Sequence, residues 1–180
     1  GYETGYFGKW HLYGGYRNKP IPKGPHRHGF KVFKSNNCHL NYQPGECFYY
    51  DDKGNKHYFQ EWEPYGQTRQ ACDFIKQNKN SPFAAFVSWH PPHKVKVNNS
   101  TGKYDPRAYI NGTTEKLLEL YNPENIKLRP NVKDTHQIRK VYQGYMAMIT
   151  GIDDAFGSLI KHLKNLNLYD NTIIVFTADH

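Results

Sequence analysis

The chain has 180 residues, the length of one domain or of a piece of a larger one, which argues against a multidomain assembly. Its 24 Lys and Arg outnumber its 16 Asp and Glu, and the resulting charge of +8 points to anionic partners in general: nucleic acid, acidic lipid, phosphorylated or sulfated compounds. No run approaches the roughly 18 apolar residues of a membrane span, and the residues from Gly1 to Trp10 lack the basic and apolar regions of a signal peptide, so a soluble segment is expected.

From Gly1 to Gly15, five Gly alternate with aromatic and basic residues too closely for a regular helix, which predicts a tight, ligand-approaching loop. Residues 19–67 are rich in Pro, Gly, Asn and Tyr and are expected to form short strands and turns. Ala71, Cys72, Phe74 and Ile75 recur at helical intervals and predict a short amphipathic helix from Thr68 to Asn78, closed by Pro82. Phe83 to Trp89 is an apolar run between prolines, the pattern of a strand buried on both faces. Residues 95–130 read as a surface excursion or substrate loop with a helical turn at Glu115 to Leu120. Apolar residues then recur in steps of three and four from Ile138 to Leu166, the clearest helix of the chain, spanning Gln137 to Leu166. After a turn at Asn165 to Asn171, Thr172 to Thr177 predicts a second buried strand that ends at Ala178, Asp179 and His180. A helix feeding a strand with polar residues at its C-terminal end is an α/β unit, and ligands of such sheets bind at those strand ends.

Three polar clusters lie where an α/β sheet would bring them together: Lys9 with His11, His90 with His93, and Asp179 with His180. A compact ammonium neutralises an oxyanion, imidazoles donate hydrogen bonds or a proton, and a strand-end carboxylate holds a hard divalent cation. Together these groups suit ester cleavage at sulfur or phosphorus, in which the protein chiefly positions groups and stabilises charge. Taken singly, each has a plainer reading. With ten His in the chain, most are surface or structural, a lone Lys is usually solvated, and an Asp that ends a strand often only caps a turn. The three Cys, Cys38, Cys47 and Cys72, lack close metal spacing and an even count, so neither a disulfide framework nor a zinc knuckle is indicated, although one pair is left open. Asn98, Asn99 and Asn111 each begin an Asn-x-Ser/Thr triplet.

The segment Gly1-Tyr2-Glu3-Thr4-Gly5-Tyr6-Phe7-Gly8-Lys9-Trp10-His11-Leu12 resembles the second signature of the type I sulfatases, in the alkaline phosphatase superfamily. Ser81-Pro82-Phe83 through Val87-Ser88-Trp89-His90-Pro91-Pro92-His93 resembles that family's strand leading into a Pro-His pair. Asp153 in the long helix, followed by Asp170 through His180, resembles its helix, turn and metal-bearing strand. The resemblance implies an α/β fold, part of an alkaline-phosphatase-like three-layer domain with helices flanking a largely parallel or mixed sheet. It implies that residues 1–180 are part of a sulfatase catalytic domain, an internal fragment without the nucleophile segment and the C-terminal part. The absent initiator Met, a start inside the Gly-rich motif and an end just past an apolar run carry the same expectation.

The resemblance further implies roles. Lys9 would lie on the sulfate oxygens and His11 near the nucleophile, and His93 would contact the sulfate or assist departure of the alcohol. Asp179 would ligate Ca²⁺, with His180 either a ligand or beside it; oxygen ligands suit calcium, which makes Asp179 the clearer of the two. His90 is the weaker candidate, because the Pro-His pair singles out His93. The sulfatase nucleophile is a formylglycine made from Cys or Ser in a Cys/Ser-x-Pro-x-Arg word, and none of the three Cys is followed by that pattern. That word, and an Asp pair sharing the metal, would precede Gly1, and the isolated segment is expected to be inactive. Tyr13 interrupts the usual Leu-Gly ending of the first signature.

The resemblance implies a sulfated carbohydrate or other sulfate ester as substrate, and a secreted, periplasmic or lysosomal location with it. No nucleic-acid partner is expected, because the Lys and Arg are scattered and no recognition motif occurs. The alternatives are a phosphonate or phosphodiester hydrolase of the same superfamily, and a non-catalytic sulfoglycan-binding relative. Substrate identity would reside in the loops of residues 19–67 and 95–130, and the pattern does not specify oligomeric state.

Overall fold

The computed structural model describes residues 1–102 and 104–178. Their framework is a mixed five-stranded sheet in the order β4-β3-β2-β1-β5. The strands are β1 (Glu3–Lys9), β2 (Val32–Asn36), β3 (Phe48–Tyr50), β4 (Lys56–Tyr58) and β5 (Phe83–Ser88). β1 runs parallel to β2 on one side and to β5 on the other, whereas β3 and β4 continue the sheet as antiparallel strands.

The Gly-rich stretch expected to be a loop is therefore mostly strand, and only its end, from Trp10, leaves the sheet. Alternation along a strand sends Tyr6 and Phe7 to opposite faces, and both faces are covered. Phe7 packs with Ala71, Phe74, Ile75 and Leu163 on the helical side, while Tyr6 packs with Trp10, Ile21 and Phe33 beneath irregular chain. Here glycine serves close approach rather than loop freedom. Gly8 sits at φ +112°, and a Cβ on it would lie 2.2 Å from the Ser88 carbonyl oxygen of β5.

Two long helices cover the Phe7 face. α1 (Glu63–Gln77) starts five residues before the expected Thr68, because Pro64 occupies a first-turn position where its missing N–H costs nothing. Four-residue helices α2 (Arg107–Ile110) and α3 (Glu115–Leu118) precede α4 (His136–Asn165), whose bounds match the periodicity. Thr135 caps α4, its side chain accepting from the Ile138 N–H. A second core joins Tyr42 and Trp62 to Ala147, Met148 and Ile152 of α4. Gly151 of α4 admits the Trp62 ring, which would stand 2.5 Å from an added Cβ.

Two expectations are corrected. β5 is a strand but is not buried on both faces, and Phe86 is 54 % exposed. Thr172 to Thr177 is not part of the sheet: Ile173 is 95 % and Val175 77 % exposed. Apolar character creates a demand for cover, but ladder partners supply the strand, and among the described residues none pairs with this segment or with the outer edge of β5. Only Ile174, against the Phe7 core, and Phe176, against Trp89 and Phe156, find apolar neighbours. All three Cys are free.

Gly8→Ala combines a backbone conformation hostile to L side chains with a clash against β5 backbone, and should destabilise the protein by about 3 kcal/mol. Chemical denaturation of the full-length protein measures this; an unchanged midpoint would contradict the close approach.

Candidate anion site

Because β1 and β5 are parallel neighbours, their C-terminal ends open on the same side of the sheet. Lys9 ends β1, and His90 follows β5 by two residues. The Lys9 Nζ lies 2.8 Å from His90 Nε2. An ammonium can only donate, so Nε2 accepts and the His90 proton resides on Nδ1. That nitrogen turns toward the His39 carbonyl without meeting it in a well-formed hydrogen bond. Burial, then Lys9, then His93 push His90 down to about 3, which keeps it neutral across the physiological range.

His11 and His93 stand at the rim of this pair. His11 adopts φ 53° just past the strand, and its N–H donates to the Asn37 carbonyl at 2.7 Å. Its imidazole is held below the ordinary range, by desolvation first and then by Lys9, Arg17 and His93, which sets all three cations or potential cations within electrostatic reach. The His93 ring centroid is 5.1 Å from that of His90. Its Nδ1 lies 2.8 Å from the Lys94 carbonyl oxygen, an acceptor only, so Nδ1 carries hydrogen and Nε2 is left for a substrate. The Tyr42 hydroxyl donates to the His93 carbonyl at 3.2 Å, tying this turn to the core. On the opposite side, the buried Asn37 amide donates to the Tyr13 carbonyl at 2.8 Å and fixes the loop that follows His11.

Below Lys9 lies a buried polar layer. Asn36 is the cross-strand partner of Lys9 in the β1–β2 register, and its amide donates to Glu63 Oε1 at 3.3 Å and to the Phe48 carbonyl. Glu63 is wholly buried, and desolvation raises its carboxyl to about 8 against smaller opposing effects of Asn36 and Lys9. Its Oε2 has no protein partner. At neutral pH the site therefore presents the Lys9 ammonium, a neutral His90 and a largely protonated carboxyl, a combination suited to an anion.

Of the sequence-derived candidates, Lys9, His11 and His93 are brought to one end of the sheet. His90, rated the weaker of its pair, is the direct partner of Lys9. Asp179 and His180 lie outside the described residues, and among the described residues no group of three or more His, Cys, Asp or Glu could hold a metal ion. Burial drives the Cys47 thiol to about 12 and Cys72 to about 11, so neither resembles an activated nucleophile. Asn36, Asn37 and Tyr42 escaped the sequence reading because polar residues in a Tyr- and Asn-rich segment look like turn formers. The one signal for Glu63 was its place immediately before Pro64, at a helix start.

His90 ring resonances should not titrate between pH 5 and 8, and Lys9→Met should raise the His90 pKa while burial keeps it below 6.5. The unfolded chain takes up this proton as pH falls from 6.5 toward about 3, so the fold loses the contribution of neutral His90 over that acid window. Imidazole NMR shifts in both proteins check the assignment; titration of wild-type His90 near its ordinary value would contradict it.

The Sulfatase family profile matches residues 1–180. The chain is 35% identical to the ulvan-active sulfatase of Formosa agariphila over 186 residues, covering 100% of this chain and 33% of that protein. It is 28% identical to an endo-4-O-sulfatase of Bacteroides thetaiotaomicron, covering 100% of this chain and 38% of that protein. A solved structure from the glycosaminoglycan metabolism of Bacteroides thetaiotaomicron superposes with a TM-score of 0.68 at 26% identity, over 93% of this chain and 37% of that one. The chain thus spans about a third of the length of the curated relatives it matches. With its α/β framework and its whole length accounted for in this way, the chain belongs to the sulfatase family.

Proposed function

We propose that residues 1–180 are part of the catalytic domain of a sulfuric ester hydrolase that acts on a sulfated carbohydrate, and that this part supplies the anion-binding wall of the active site. The observation that carries the reading is the Lys9–His90 pair: a neutral imidazole holds the ammonium at the mouth of the sheet without cancelling its charge. A sulfate monoester carries a single negative charge, which one fixed cation and several N–H donors satisfy. Relatives whose names specify ulvan and 4-O-sulfate as targets support the carbohydrate assignment.

In this reading Lys9 binds the sulfate oxygens and His11 lies beside the reacting centre. With a second proton on Nε2, the imidazolium form of His93 hydrogen-bonds the bridging oxygen and gives the departing alcohol that proton. Ca²⁺ and a formylglycine would supply charge neutralisation and the attacking oxygen. Asp179 and His180 are proposed for the metal, and the nucleophile is proposed on a Cys or Ser of the longer protein, since Cys38, Cys47 and Cys72 lack its motif. A secreted, periplasmic or lysosomal location accords with this substrate class. No helix among the described residues is long and apolar enough to cross a membrane.

The full-length protein should release sulfate from an aryl sulfate faster than it cleaves an aryl phosphate diester. Preference for the diester would favour the phosphodiesterase alternative, and failure to cleave either a non-catalytic binder. Lys9→Ala should lower kcat/KM by about 10²–10³-fold, the effect of losing one preorganised oxyanion contact. His93→Gln should depress kcat far more for an alkyl sulfate than for an aryl sulfate, whose leaving group needs no proton. Equal losses on both esters would remove His93 from the acid role.

A further inference from the structure

Glu63 is unused by the chemistry just described, yet this buried carboxyl is hydrogen-bonded to Asn36, the ladder partner of the substrate-binding cation, and feels its charge. We propose that Glu63 is a positioning residue that acts on the substrate anion through Lys9, an inference resting on the sulfate-binding role of that lysine. The connection is structural. Glu63 Oε1 accepts from the Asn36 amide at 3.3 Å, and Asn36 pairs with Lys9 across the β1–β2 ladder. The Asn36 carbonyl also accepts the Trp10 N–H at 2.8 Å, which fixes the chain immediately after Lys9. Glu63 itself is anchored where α1 begins, its N–H donating to the Tyr42 carbonyl at 3.0 Å. Lys9 and Glu63 feel each other electrostatically but form no ion pair: the ammonium is committed to His90.

The ionisable groups around Glu63 come from every adjoining element. Lys9 reaches it from β1, and Tyr42 and Cys47 from the chain between β2 and β3; His39, on that same connection, and His90 beyond β5 complete the layer around Lys9. His90 and His39 are neutral at pH 7, being driven down to about 3 and about 4 by burial first. Tyr42 and Cys47 are both pushed upward, by burial and by Glu63. Within this layer Glu63 is thus the group that gains negative charge as the solution becomes mildly alkaline, around pH 8. Protonated, it leaves the Lys9 charge to the sulfate. Ionised, it competes for that charge from below and opposes the incoming anion.

The test uses the full-length protein with inorganic sulfate as a calorimetric ligand and an aryl sulfate as substrate, each from pH 6 to 9.5. In wild type, sulfate affinity should fall and KM should rise by roughly tenfold or more on passing pH 8, with kcat changing less. Glu63→Gln retains an acceptor for Asn36 but cannot ionise, so both alkaline changes should disappear. If the changes persist in Glu63→Gln, or wild type lacks them, the positioning role is overturned. Sulfate binding with the expected pH behaviour but no turnover of any sulfate ester would sustain the role of Glu63 and reject the hydrolase reading. Turnover with a pH limb indifferent to Glu63→Gln would do the reverse. Should Glu63→Gln fail to fold, infrared titration of wild type decides: a protonated-carboxyl band present at pH 7 and lost through pH 8 supports the proposal, and its absence at pH 7 overturns it.

Discussion

The hydrogen bond from Lys9 to His90 is the constraint on which the site depends, because it joins the ends of two neighbouring parallel strands through a cation and a base that stays neutral. A carboxylate in the same place would hold Lys9 more tightly and would leave little field for a ligand. A protonated histidine would repel it. Neutral His90 does neither, and its neutrality follows from burial and from the ammonium itself. The partners thus reinforce each other: Lys9 makes His90 a poor proton acceptor, and His90 gives Lys9 a fixed direction while preserving its charge.

The rest of the fold brings this pair together. Both faces of β1 must be covered for its end to be fixed, and Tyr6 and Phe7 accomplish that on opposite sides. β5 must approach closely, and Gly8 permits it. The Tyr6 hydroxyl donates to the Lys9 carbonyl, so the aromatic core under the sheet also holds the last residue of the strand. Across the site, Tyr42 links the His93 turn to the Trp62 and α4 core. A long helix far from the chemistry therefore determines where an imidazole can stand.

Much of this was legible in the chain. The 30-residue α4 shows its period because one face is continuously buried, and the Gly-Lys-Trp-His and Pro-Pro-His words marked residues that the sheet does gather. What was illegible has common physical causes. The glycine content of the first segment predicts loop freedom, whereas at Gly8 it lets backbones meet, and composition does not distinguish the two. Phe83–Ser88 and Thr172–Thr177 have the apolar content of buried strands, but burial depends on which neighbours pair with them, a property no local window contains. Asn36 and Glu63 are separated by 27 positions and meet only because β2 and the start of α1 adjoin the same strand end.

The charge at the strand ends differs in kind from the charge of the chain as a whole. The net charge of +8 raises the concentration of any polyanion near the surface and cannot distinguish sulfate from nucleic acid. At the mouth of the sheet one ammonium is directed by a neutral ring, the His11 imidazole is discouraged from adding charge, and the Glu63 carboxyl holds its proton. The same desolvation that keeps His90 and Glu63 uncharged therefore leaves the Lys9 charge available to an anion at this strand end.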